Sequence, residues 1–191
     1  ASFNQYQKFR DPVLRAWQEI MERVPQSRLL LKNNAYSKPG VVQSAYERLR
    51  RLGFDMSRVQ FEQATQDYML RYLDVDIALD TFPWPGGGTT CDALYMGVPV
   101  VSYYTERHST RFTYSLLANI GLSDLASTSL SDYVETAVAL AGNLDLLDAL
   151  HLELRDRMKV SPVMDQERYI REMEECYRAI WNAWESENTS L

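Results

Sequence analysis

Cysteine is nearly absent from this 191-residue chain, which has only Cys91 and Cys176. Their spacing matches neither a zinc site nor a disulfide framework, and the scarcity fits a reducing, cytoplasmic setting. Long apolar runs are missing too. Nothing approaches the roughly 20 residues of a membrane helix, and no stretch is laid out as a signal peptide, so no membrane partner is expected. Basic excess is also lacking: 20 Lys and Arg face 26 Asp and Glu, giving a formal charge of −6 and a pI near 5.0. That argues against nucleic acid as a partner, because such surfaces are basic overall. It leaves room for a small cationic pocket holding a phosphorylated ligand. Extended polar tracts, internal repeats and low-complexity segments are absent, which excludes large-scale disorder. An initiating Met is absent as well, so a piece of a longer protein is expected.

What is present is apolar content for one well-buried domain: 46% of residues are hydrophobic, enough for one core and too little chain for two of ordinary size. Apolar spacing alternates between helix and strand. Ser2-Phe3-Asn4 reads as the tail of a strand. Asp11-Pro12 offers an N-cap and a first helical Pro; Val13, Leu14, Trp17, Ile20, Met21 and Val24 then share one helical face, and Pro25 stops it. Arg28–Leu31 reads as a buried strand. Val42, Ala45, Leu49 and Leu52 mark a helix with Gly53 at its C′ position. Val59–Phe61 is a strand, Asp67–Leu73 a short helix, and Ile77–Asp80 a strand. A glycine-rich loop follows, then a helix over Thr89–Met96 and a strand over Val98–Val101. This rhythm predicts an α/β fold, a Rossmann-like parallel sheet with helices on both faces.

From Ser109 onward the pattern reads as helices only. The expected organisation is a single lobe, residues 1–191, with an α/β core over 1–108 and a helical part over 109–191. The last helix, at about 165–186, carries Tyr169, Ile170, Met173, Tyr177, Ile180, Trp181 and Trp184 on one wide stripe.

The chemistry concentrates in the stretch from Leu79 to Leu94: Leu-Asp-Thr-Phe-Pro-Trp-Pro-Gly-Gly-Gly-Thr-Thr-Cys-Asp-Ala-Leu. A strand ends, the backbone turns through Gly86, Gly87 and Gly88, and a helix begins at Thr89 and Thr90. A helix N-terminus offers free N–H groups and positive potential to a phosphate, and in an open parallel sheet the carboxyl edge is where ligands bind. The same residues also fit a plain sharp turn, with Thr89 and Asp92 as a capping pair. Neither G-x-G-x-x-G nor a Walker loop is present, so no dinucleotide or ATP is indicated.

This stretch, continuing through Met96-Gly97-Val98-Pro99, resembles the donor-lobe signature of the protein O-linked N-acetylglucosamine transferases and their Spindly relatives. Ser2-Phe3-Asn4-Gln5 with Lys8, Pro25–Leu29, His108-Ser109-x-Arg111, Gly121-Leu122, Ser161-Pro162 and Tyr177-Arg178-x-Ile180-Trp181 extend the resemblance over nearly the whole chain. It implies the C-terminal lobe of a GT-B glycosyltransferase, using UDP-N-acetylglucosamine as donor and Ser or Thr hydroxyls of proteins as acceptors. Its partners would be an N-terminal lobe, onto which the last helix packs, and tetratricopeptide repeats. The resemblance makes Lys8 the catalytic cation that stabilises the leaving diphosphate. It assigns Gln5, Lys8, Gly86, Gly87, Gly88, Thr89 and Thr90 to the diphosphate, Asp92 to the ribose, and Tyr68 with Arg71 to the base side. His108 and Arg111 would be donor-side contacts.

Two departures leave the sugar open. One threonine of the usual three is missing after Gly88, and Tyr103–Arg107 replaces a small-residue loop. GDP-fucose or UDP-glucose as donor, or a non-catalytic nucleotide-binding or scaffold module, are the alternatives. No cofactor or metal is expected. Asp74-Val75-Asp76 has the Asp-x-Asp form of a manganese motif but precedes its strand, at the wrong edge. Cys91 lies near a helix N-terminus, which lowers a thiol pKa, yet lacks a neighbouring base.

Overall fold

The structure, a computed structural model, describes residues 1–188. Five parallel strands form its centre: β1 (Leu29–Lys32), β2 (Val59–Glu62), β3 (Ala78–Leu79), β4 (Val100–Tyr103) and β5 (Ala126–Ser127). β1 pairs with β2, and β4 lies between β3 and β5. The two groups are stitched together by the first two residues. Ala1 N donates to Ile77 O at 2.6 Å and Ala1 O accepts from Leu79 N at 2.7 Å. On the other side, Ser2 N donates to Leu30 O at 2.9 Å and Ser2 O accepts from Lys32 N at 3.1 Å. Ala1-Ser2 thus acts as a central strand, and the sheet runs β2, β1, Ala1-Ser2, β3, β4, β5. The strand tail expected at Ser2 is there.

Among the described residues, six α-helices flank this sheet, α1 (Asp11–Arg23), α2 (Pro39–Arg51), α3 (Gly88–Tyr95), α4 (Phe112–Asn119), α5 (Leu130–Ala141) and α6 (Leu144–Lys159), and a seventh, α7 (Gln166–Asn188), follows with no buried residue. Val13, Leu14, Trp17, Ile20 and Met21 are buried on α1, the face their spacing predicts. Gly53, Gly97 and Gly121 follow α2, α3 and α4 with φ of +93°, +86° and +75°, the left-handed turn that glycine makes without a Cβ penalty. At Gly97 a Cβ would also lie 2.7 Å from the His151 carbonyl of α6, so α3 and α6 can pack this closely only on glycine.

Three expectations are corrected. Asp11 is the first helical residue rather than the N-cap; Arg10 holds that position without a side-chain cap, and the Asp11 carboxylate instead pairs with Arg48 of α2. The segment 67–73 forms a 3₁₀ helix, Tyr68–Asp74. The region after Ser109 is not helical throughout, because β5 joins the sheet there. Two residues are too short a run for an alternating pattern to register, so only pairing to Ser102 and Tyr103 reveals it.

Candidate functional site

Because every strand is parallel, the loops after Ser2, β3 and β4 gather at one edge. The first, Gln5 to Lys8, turns through a 3₁₀ helix, Tyr6–Lys8. Lys8 Nζ donates to Asn4 Oδ1 at 3.1 Å and to the Pro85 carbonyl at 2.8 Å. Both acceptors are neutral. Among the described residues the half-buried ammonium therefore has no directly bonded counter-ion, and these two bonds use two of its three N–H groups. Burial lowers the Lys8 pKa, while the Asp80 charge opposes that shift.

The glycine loop is folded around Asp80, at the end of β3. This carboxylate is buried. Its Oδ1 accepts from Gly86 N at 2.7 Å, Thr81 N at 2.8 Å and Asn4 Nδ2 at 3.4 Å, and its Oδ2 from Ser102 Oγ at 2.8 Å. Burial pushes the Asp80 carboxyl up, and the hydrogen bonds it accepts from Gly86, Ser102 and Thr81 work against that rise. Behind it, Tyr133 Oη donates to the Asp80 carbonyl at 3.0 Å and accepts from Trp17 Nε1 at 2.9 Å, tying the loop to α5 and α1.

The three glycines differ in what they need. A Cβ at Gly86 would lie 2.4 Å from Thr90 Oγ1 and 2.8 Å from Thr89 Oγ1, so packing alone requires glycine there. At Gly87 and Gly88 a Cβ would meet open space; nothing in the packing demands their smallness, and a ligand can approach the backbone. α3 starts with Gly87 as N-cap and no side-chain cap. The capping pair of Thr89 and Asp92 is therefore not formed. Thr89 Oγ1 donates to Asn4 Oδ1 at 3.4 Å, and Asp92 Oδ2 accepts from Tyr68 Oη at 3.0 Å. The amides of Gly88 and Thr89 precede the first intrahelical bonds, the free donors an anion uses.

The structure brings together Lys8, Asn4, Gly86 and Thr89, and separately Tyr68 with Asp92. Gln5 is exposed and contributes its carbonyl to the Lys8 turn. Thr90 departs from expectation. It is buried, its hydroxyl 3.0 Å from Thr113 Oγ1, which itself donates to Gly86 O at 3.1 Å. The Thr90 side chain thus braces the loop from below. Arg71 is held by the Glu62 carboxylate and by Asp74 at 2.7 Å; two acidic partners hold its guanidinium, which suits it to orienting the segment around Tyr68. Asp74, half of the Asp-x-Asp triplet, is committed to that pair. His108 is exposed and lies edge-on to Phe112, and Arg111 sits over the Tyr114 ring at 5.5 Å. Thr113 links the start of α4, just after Arg111, to the glycine loop. Burial raises the Cys91 thiol rather than lowering it, the opposite of the activation a helix N-terminus can give.

Asn4, Asp80 and Thr113 are central here and were not singled out by pattern. One signal existed: Asp80 closes an apolar strand, where an unpartnered carboxylate would be too costly to bury.

The strand order, the carboxyl-edge loops and the flanking helices define a Rossmann-like lobe of GT-B type. An O-GlcNAc transferase structure from Thermobaculum terrenum superposes with a TM-score of 0.88 at 31% identity, covering 94% of this chain and 35% of that one. An S. aureus TarM structure shares the fold alone, at TM-score 0.59 and 11% identity, over 83% of this chain and 31% of that one. The family model for glycosyl transferase family 41 matches residues 1–173, and the chain belongs to that family. Among curated relatives, the protein named probable UDP-N-acetylglucosamine–peptide N-acetylglucosaminyltransferase SPINDLY of Solanum lycopersicum is 37% identical over 186 residues, 96% of this chain and 20% of the relative. The UDP-N-acetylglucosamine–peptide N-acetylglucosaminyltransferase of Caenorhabditis elegans is 29% identical over 188 residues, 97% of this chain and 16% of that protein. The chain spans about a fifth of the length of such relatives.

Proposed function

We propose that this lobe binds the nucleotide-sugar donor of an inverting glycosyltransferase that moves N-acetylglucosamine from UDP-N-acetylglucosamine to Ser and Thr hydroxyls of proteins. One observation carries the reading: a lysine ammonium cradled by two neutral acceptors, beside an uncapped helix start with open backbone at Gly87 and Gly88. That arrangement suits a diphosphate. In the transfer, the acceptor oxygen bonds to the anomeric carbon as the bond from that carbon to the diphosphate oxygen breaks, and the hydroxyl proton passes to a base on the acceptor side. Negative charge grows on the departing UDP, where Lys8 and the first amides of α3 stabilise it. Asp92 receives the ribose hydroxyls, with Tyr68 beside it. His108 and Arg111 approach the donor from the loop after β4.

The stabilising charge comes from the protein, so no metal is required. The parent protein supplies an N-terminal lobe, which α7 covers, and tetratricopeptide repeats that present protein acceptors in the cytoplasm. Among the described residues no helix is long and apolar enough to cross a membrane. Calorimetric titration of the intact protein with UDP, GDP and their sugars tests the donor assignment. UDP and UDP-N-acetylglucosamine should bind, with affinity unchanged when EDTA replaces Mn²⁺. Preference for GDP-fucose would change the donor, and large loss in EDTA would demand a metal. Binding without transfer to any protein acceptor would leave a nucleotide-binding module.

A further inference from the structure

Among the described residues Lys8 makes no ion pair, yet its position is tightly set, and the group that sets it lies one bond deeper. Asn4 Oδ1 accepts from both Lys8 Nζ and Thr89 Oγ1, so the two candidate diphosphate contacts share one acceptor. The other end of the same amide, Nδ2, donates to Asp80 Oδ1. Such an amide cannot flip without facing Nδ2 toward the Lys8 ammonium and Oδ1 toward a carboxylate. The Asp80 oxygen that holds Asn4 also accepts from Gly86 N, the residue after Pro85, whose carbonyl is the second acceptor for Lys8. Both halves of the Lys8 cradle therefore hang from one buried carboxylate.

Resting on the donor-site reading above, we infer that Asp80 is the positioning residue of this site: through Asn4 on one side and Gly86 on the other, its carboxylate fixes where the Lys8 ammonium and the first turn of α3 stand relative to the diphosphate. The backbone amides of Thr81 and Gly86 can only donate, and both point at Oδ1, so that oxygen carries no proton, while Ser102 Oγ donates to Oδ2 of the carboxylate. Its charge has a second consequence. The elements around the site carry other charged groups: Asp92 on α3, Arg10 and Asp11 at the start of α1, and Arg111 ahead of α4. Asp80 is the one whose charge acts on Lys8, and it opposes the loss of the proton that burial promotes. Asp80 thus aims the ammonium and helps keep it charged without neutralising it by direct contact.

The substitution that separates these roles from packing is Asp80→Asn, which keeps the shape and one accepting oxygen while removing the charge. Ser102 can rotate its hydroxyl to accept from the new amide. The experiment measures kcat and KM for UDP-N-acetylglucosamine against pH in the intact protein, with the unsubstituted protein and Lys8→Ala alongside. In Asp80→Asn, kcat should fall about 10- to 100-fold, the usual loss when the support of a contacting group is removed, with KM changing less. The alkaline limb of the profile should move to lower pH, since Lys8 then loses its proton more readily. Asn4→Ser, which leaves Asp80 and the strand intact, should move the limb the same way, because it takes an acceptor from the ammonium.

A lower melting temperature with the limb unmoved would reduce Asp80 to a structural residue and overturn the inference. If Asp80→Asn does not fold, an unmoved limb in Asn4→Ser overturns it equally. The donor-site reading fails separately, in an unsubstituted protein that neither binds nor turns over the donor, or in a Lys8→Ala variant with full kcat.

Discussion

At the carboxyl edge of the sheet, the polar groups around Asp80 are nearly all matched to one another; along α7, the large apolar side chains are nearly all uncovered. Tyr169, Ile170, Tyr177, Ile180, Trp181 and Trp184 are each more than half exposed, and α7 has no buried residue. The first region is closed on itself. The second is an amphipathic helix whose apolar stripe has no counterpart among the described residues, the kind of surface by which proteins associate. One lobe can therefore prearrange the proposed donor site by itself, while the apolar stripe of its last helix stays uncovered among the described residues. The α7 stripe accords with the second lobe proposed above.

The sharpest way to break the contrast is at Lys8. If the edge is prearranged for a developing charge, Lys8→Ala in the intact protein should lower kcat by about 10²–10³, the loss expected on removing one preorganised donor. Donor binding should weaken less, because the charge grows in the transition state. Lys8→Arg should rescue only partly, since its planar fork does not match the Asn4 and Pro85 acceptors. Steady-state kinetics with separately measured donor affinity decides this.

Next in size are changes to the scaffold behind the loop. Gly86→Ala forces a methyl against Thr90 and should destabilise the protein by about 1–3 kcal/mol, read as a fall in the urea midpoint. Tyr133→Phe strands the Trp17 N–H and should cost a similar amount, about 1–3 kcal/mol, for an unsatisfied buried donor.

Gly87→Ala sharpens the comparison from the other side. Its Cβ has open space, so stability should hold within about 0.5 kcal/mol, while UDP affinity drops because the methyl occupies the ligand's approach. Equal losses of stability and affinity would make Gly87 a folding residue.

The smallest effect is expected at α7. Trp181→Ser with Trp184→Ser should leave the melting of this lobe unchanged, because neither indole is buried in it. Hydrogen exchange of α7 should rise in the intact protein if another surface covers it there. A lowered melting point for the lobe by itself would mean that α7 packs on its own lobe.

Local pattern was enough for the helices and for most strands, because burial on one face repeats every three to four residues along α1 and α6, and glycines at 53, 97 and 121 mark where helices must stop. It also located the loop from Gly86 to Gly88 and the helix start behind it. It could not separate Gly86, which packing requires, from Gly87 and Gly88, which packing leaves free. Nor could it turn Thr90 inward, occupy Arg71 with Glu62 and Asp74, set the Ala1-Ser2 strand between β1 and β3, or admit β5 to the sheet.

Those outcomes depend on partners far apart in sequence. Asn4 and Asp80 meet across 76 residues, and Tyr133 reaches the Asp80 carbonyl across 53. Composition and periodicity decide whether a side chain is buried, since that depends on its own polarity and its place in the repeat. Which groups a buried polar atom bonds is decided only when the sheet brings its loops to one edge, and there a carboxylate that the sequence shows as the end of a strand becomes the centre of the site.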